Sequence, residues 1–205
     1  ALQAAEGLLA GRRRAALYDM PPSLRLLCAL AIGQKRPVIY LLPNERAARQ
    51  AMEDATGLGG ADFCAFLPSR EARFLRAVSS RETEWQRIRT LDLVQCGQAR
   101  VLIASAEILQ ERMVLPDWFS WQCLDLAPGQ SHQTPEIARQ LAGMGYERVD
   151  LVEGRGQFAL RGDILDIFPP AMDSPARVEF FDVQVESIRA FDPLTQRSVG
   201  RLDAL

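Results

Sequence analysis

The chain has 205 residues, 48% of them hydrophobic and 24% charged, with a formal net charge of −2. That length suits one large domain or two small ones with a sizeable core, and the composition excludes intrinsic disorder. No apolar run reaches the ~18 residues of a membrane helix, no signal-peptide pattern opens the chain, and the charge balance excludes strong non-specific DNA binding through the whole surface. Residues 1–17 are rich in Ala, Leu and Arg and read as a helix. Pro21 and Pro22 open a second helix over 24–32, stopped by Gly33. Residues 37–42 (PVIYLL) are a continuous apolar run, the pattern of a strand buried on both faces. Asn44 is placed to cap a helix over 45–55. Residues 63–67 form a second short strand. A long helix covers 82–95, with Trp85, Ile88, Leu91 and Val94 on one stripe and Gly97 as its stop. Residues 100–104 are a third buried strand, Ser105 caps a short helix through Glu111, and 121–126 are a fourth strand. Strands alternating with helices imply a covered, mainly parallel sheet.

The pattern changes near Ala127. Pro128-Gly129-Gln130-Ser131 is turn chemistry. Thr134 reads as an N-cap, Pro135 as the first helical residue and Glu136 as a first-turn acid, opening a helix that ends at Gly145. Strand-like segments then follow at 146–153, 157–161, 164–168, 177–181 and 185–191, separated by short Gly, Pro and Asp turns that suit an antiparallel meander. The reading is α/β, with a boundary at about 127–132: one domain over 1–127 and a second, α+β and mostly antiparallel, over 128–205. The first carries 16 basic and 14 acidic residues, the second 8 and 12.

Little catalytic chemistry is available. Lys35 is the one lysine and His132 the one histidine. A P-loop follows a strand and runs into a helix; Lys35 follows a helix, Pro37 leads into a strand, and no Gly-Lys-Ser/Thr occurs, so no nucleotide cofactor is expected. His132 lies in the polar boundary loop, where a surface histidine is the simpler reading. Cys28, Cys64, Cys96 and Cys123 are widely spaced with no CxxC, which argues against a zinc cage or a disulfide framework and fits a reducing cytoplasm. The pairs Asp163 with Asp166 and Asp182 with Glu186 sit among arginines and read as solvated charged faces rather than catalytic acids. Along 177–180, period 2 sets Arg177 and Glu179 against Val178 and Phe180, and Phe158 and Leu160 likewise oppose Ala159 and Arg161. Such an Arg/Glu face is either an ordinary solvated surface or a recognition surface built on guanidinium forks, and spacing alone favours the former.

The ordered strings GYERVD (145–150), GQFALRGDILDIFP (156–169), RVEFFD (177–182), ESIRAFD (186–192) and TQRS (195–198) closely resemble the domain shared by bacterial transcription-repair coupling factors and the excision-repair helicase subunit UvrB. The resemblance is specific over 135–205 and weaker before it. Segment 11–16 (GRRRAA) lacks the UvrB P-loop, the tyrosines are Tyr18, Tyr40 and Tyr146 only, and 106–117 holds no aromatic residue for a DNA-clamping hairpin. These departures match the coupling-factor family, whose N-terminal UvrB-like module is degenerate. The resemblance implies a degenerate RecA-like half domain followed by the UvrB-type domain 2 that docks onto UvrA. It implies a non-catalytic, excised adaptor fragment, with RNA polymerase and double-stranded DNA as partners of the full-length protein only. It maps the UvrA-contacting arginines onto Arg148 and Arg161, with Arg177, Glu179 and Phe168 as neighbours on the same sheet. Ala159 stands where UvrB-type sequences often carry another arginine. An UvrB-like ATP-dependent helicase fragment is disfavoured by the missing P-loop. A DNA-binding module is suggested only by Arg12-Arg13-Arg14 and the +2 net charge of the first domain. The strand over 146–153 is expected to pair antiparallel with 157–161 across Gly154-Arg155-Gly156. A bulge is then expected to bring Arg148 and Arg161 into one patch.

Overall fold

The computed structural model describes residues 16, 18–70 and 80–205, and contacts divide the chain into two units, Ala1–Met113 and Val114–Leu205. The helix expected over 1–17, with Arg12, Arg13 and Arg14, lies outside the described residues, Ala16 apart.

In the first unit, β1 (Val38–Leu42), β3 (Val101–Ser105) and β2 (Cys64–Leu67) form a parallel sheet in the order β1-β3-β2. Helices α1 (Pro22–Gly33) and α2 (Glu45–Gly57) cover one face, where Leu26, Leu30, Ala48, Ala51 and Ala55 pack on Phe66, Val101 and Ile103. Asn44 caps α2 as expected, its Oδ1 accepting from the Ala47 amide at 2.9 Å. The helix α1 ends in direct contact with the central strand. A Cβ on Gly33 would stand 2.2 Å from Val101 Cγ2, so only glycine permits that approach. Lys35 is exposed in the turn that follows.

Four expectations for this region are corrected. Strand β1 is not buried on both faces: it is an edge strand, and Ile39 and Leu41 are exposed. Helix α3 (Arg81–Gln95) does not bury the stripe of Trp85, Ile88, Leu91 and Val94; its buried positions are Arg87 and Thr90. Polar partners explain this. Thr90 Oγ1 donates to the Phe66 carbonyl at 2.7 Å, and Arg87 donates to the Pro68 carbonyl and ion-pairs with Glu111 at 2.9 Å, without hydrogen-bond alignment. Ser105 makes no cap hydrogen bond, and 106–110 is a 3-10 turn. Residues 121–126 form no strand: α4 (Pro116–Trp121) occupies their start, and Leu126 exchanges two 2.8 Å backbone bonds with Leu205.

That exchange also sets the division between the units. Leu126 is fully buried in the core of the second unit, with Leu124 packed against it, so the contacts divide at Met113/Val114 rather than at 127–132. The loop expected to mark the boundary is stitched to the same unit: Gly129 and His132 amides donate to the Val185 and Val183 carbonyls at 2.8 and 2.7 Å.

The second unit is a six-stranded sheet in sequential order: β4 (Glu147–Arg148), β5 (Gln157–Arg161), β6 (Ile164–Ile167), β7 (Ala176–Phe181), β8 (Gln184–Phe191) and β9 (Ser198–Leu202). Strands β5 to β9 are antiparallel, as the turn-separated segments imply. Strand β9 was not anticipated, because SVGRL carries no apolar alternation. Helix α5 (Thr134–Gly143) lays Ile137 and Leu141 on one face of the sheet, against Phe158, Leu165, Val178 and Ile188. Thr134 is its first residue rather than its cap; Gln133 holds that position without a side-chain bond.

Candidate docking face

The other face of the second sheet is built by the period-2 rule applied across five strands. At one end Ala159 packs with Val152, Phe168 and Phe191 in a small second core. The rest carries charge. Cross-strand partners share a face, and Ala159, Asp166, Arg177, Arg189 and Arg201 stand successively opposite one another on β5 to β9. A second row sets Arg161, Ile164, Glu179 and Ser187 beside it.

Asp166 organises this face. Its side chain is fully buried, and it accepts from Arg177 Nε at 2.6 Å, Arg177 Nη2 at 2.8 Å and Arg161 Nη2 at 2.6 Å. A buried carboxylate is tolerable only when its charge is neutralised and its lone pairs are filled. The hydrogen bond to Asp166 is the main cause that raises the Arg177 pKa above its ordinary value. Arg177 lies over the Phe191 ring, 4.8 Å from the centroid, and also reaches Gln196 at 3.4 Å. Its fork is therefore used within the fold. Arg161 is different: half-exposed, it commits a single N–H to Asp166, and its other donors have no hydrogen bond to the described residues. Glu179 accepts from Ser187 Oγ at 2.6 Å and lies 3.5 Å from Arg189.

The sequence-derived candidates separate accordingly. Arg161, Arg177 and Glu179 share the charged face. Phe168 is buried in the small core beneath Arg155, whose guanidinium carbon stands 5.3 Å from the ring centroid, so Phe168 does not line the surface. Arg148 is exposed but on the opposite face from Arg161. Strand β4 spans two residues rather than 146–153, and it pairs parallel with β5, with Arg148 opposite Phe158. No 154–156 hairpin forms, because the Gln157 side chain ties back the chain at Glu153 and Gly154 while the Gly156 carbonyl receives the Glu147 amide. The shared Arg148–Arg161 patch is thus corrected. The residue missed was Asp166. Its neighbour in the pairing, Asp163, is an exposed turn residue, so the two do not form a carboxylate pair on one solvated face. Local sequence carried no signal of its burial: the apolar flanks Leu165 and Ile167 point to the helix side of the sheet and turn Asp166 to the opposite face, where Arg161 and Arg177 enclose it. His132 is half-buried and contacts Gln130 at 3.1 Å, with no charged partner among the described residues.

A family model described as the UvrB interaction domain matches residues 124–205, which include the Leu124–Leu126 segment that the fold assigns to the second unit. Across 204 residues the chain is 31% identical to the transcription-repair-coupling factor of Bacillus subtilis, covering 97% of this chain and 17% of that protein. It is 33% identical over 191 residues to the factor of the same name from Mycobacterium bovis, covering 89% and 15%. Over 77 residues it is 51% identical to the Myxococcus xanthus factor, covering 38% and 6%. The chain therefore spans 17% or less of the length of each of these relatives.

Proposed function

The chain belongs to the transcription-repair-coupling factor family, and from that premise we propose that it is a non-catalytic adaptor whose second unit binds UvrA. On this reading it brings nucleotide excision repair to stalled RNA polymerase in the cytoplasm. Contacts with RNA polymerase and double-stranded DNA, and any ATP-driven movement, fall to other parts of the longer protein. The observation that carries the reading is the Arg161–Asp166–Arg177 arrangement within the segment matching the UvrB interaction domain. A guanidinium fixed from behind by a buried carboxylate loses less freedom on binding and can hold a partner carboxylate bidentately.

The test is binding of the 205-residue chain to immobilised UvrA. Arg161→Ala weakens binding by ~1–3 kcal/mol, while thermal stability changes little because Arg161 is half-exposed. Arg148→Ala, on the other face, reports separately whether the edge strand β4 also touches UvrA. Unaltered UvrA affinity in the Arg161 variant refutes the assignment of Arg161 to the contact, and no binding by the parent chain refutes the adaptor reading.

A further inference from the structure

The charged row extends well beyond Arg161. Arg177, Arg189 and Arg201 stand directly opposite one another on β7, β8 and β9. Neighbouring strands lie ~4.8 Å apart, and like charges directly opposite disfavour a sheet. Asp166 neutralises Arg177. Among the described residues Arg189 has only a 3.5 Å contact with Glu179, whose same oxygen already accepts from Ser187. Arg201 is exposed and, among the described residues, has no partner. Arg189 and Arg201 line a depression of about 480 Å3 together with Glu179, Glu186 and Ser187. The fold thus sets two under-neutralised guanidinium groups side by side in a concavity.

We propose that Arg189 and Arg201 bind an acidic segment of a protein partner in extended conformation, as a second contact separate from Arg161. Alternate side chains of an extended chain lie on one side, ~6.8 Å apart. Two acidic residues at that spacing can each reach one of the flexible arginines. The rest of the depression selects a polypeptide over nucleic acid. Glu179 and Glu186 would face a phosphate backbone with like charge, whereas a peptide can present its own N–H donors to them. The inference rests on the adaptor reading only in assigning the acidic segment to UvrA.

The experiment titrates the 15N-labelled 205-residue chain with a (Glu-Ser)6 peptide at low salt. Amide shifts are expected to cluster at Arg189, Arg201 and Ser187, to vanish in Arg201→Glu, and to be absent with (Lys-Ser)6. In the parallel arm, the Arg189→Ala/Arg201→Glu variant, with Arg161 intact, binds UvrA about tenfold more weakly. Absence of peptide shifts, or shifts unchanged in Arg201→Glu, overturns the proposal. Tighter binding of a duplex oligonucleotide to the same residues overturns it in favour of nucleic acid. If the parent chain binds UvrA and the double variant binds it equally, the UvrA assignment falls while Arg161 and the adaptor reading stand.

Discussion

Asp166 is where the structure makes its strongest energetic demand, and Asp166→Ala tests it. The substitution removes a fully buried carboxylate that accepts three charge-assisted hydrogen bonds at 2.6–2.8 Å. Each such bond is worth ~1.5–3 kcal/mol singly, but bonds sharing one acceptor do not add. Arg161 is half-exposed and returns to water, so its share is ~0–1 kcal/mol. The larger loss falls on Arg177, whose side chain is 19% exposed and is left over the Phe191 ring without its counter-charge. Breaking a buried pair from one side costs about 3–5 kcal/mol, and partial access of Arg177 to water places the expected value near ~3 kcal/mol. For a unit the size of Val114–Leu205, each kcal/mol moves Tm by roughly 4–8 °C, so the expected fall is at least ~12 °C. Urea unfolding of the parent, Asp166→Ala, Arg177→Ala and the double variant gives the cycle. A coupling of ~1–3 kcal/mol is expected between Asp166 and Arg177. A loss below ~1 kcal/mol in Asp166→Ala, or a coupling of zero, refutes the view that this carboxylate holds the face together.

In the first unit, Thr90→Val keeps the shape but deletes the hydroxyl that donates to the Phe66 carbonyl, and urea unfolding should show a loss of ~1–2 kcal/mol. Burial, with Cys123 nearby, pushes the Tyr146 phenol up to about 12 from its ordinary 10.0. The folded state then holds a proton that the unfolded state releases, so this contribution is intact below pH 10 and is lost as pH rises towards 12. Stability of Tyr146→Phe should fall less steeply than the parent across that window. Limited digestion with proteinase K, which needs no basic residue, should cut beside Arg112, which is exposed at the division between units, and spare 127–133, whose backbone is bonded to β8; the reverse pattern would place the division at the later loop.

The sequence by itself determined what depends on neighbours close in the chain. The apolar runs at β1, β2 and β3, the Asn44 cap and the Val178/Phe180 alternation are local signals, and each appears in the fold where its residues put it. The strings over 145–198 were specific enough to imply the family. What only the tertiary structure decided are the pairings between distant segments. Glu147 and Arg148 found a parallel partner in β5 because that edge was open to them, which turned Arg148 away from Arg161. Leu126 joined the second unit through Leu205, far along the chain. The apolar stripe of α3 lost the buried side to Arg87 and Thr90, because Glu111 and the Pro68 and Phe66 carbonyls were waiting there for donors. Asp166 looked like a surface acid until β5 and β7 brought an arginine to it from either side. A charge can be buried only where its counter-charges converge, and convergence across strands is a property of register, which local sequence does not carry.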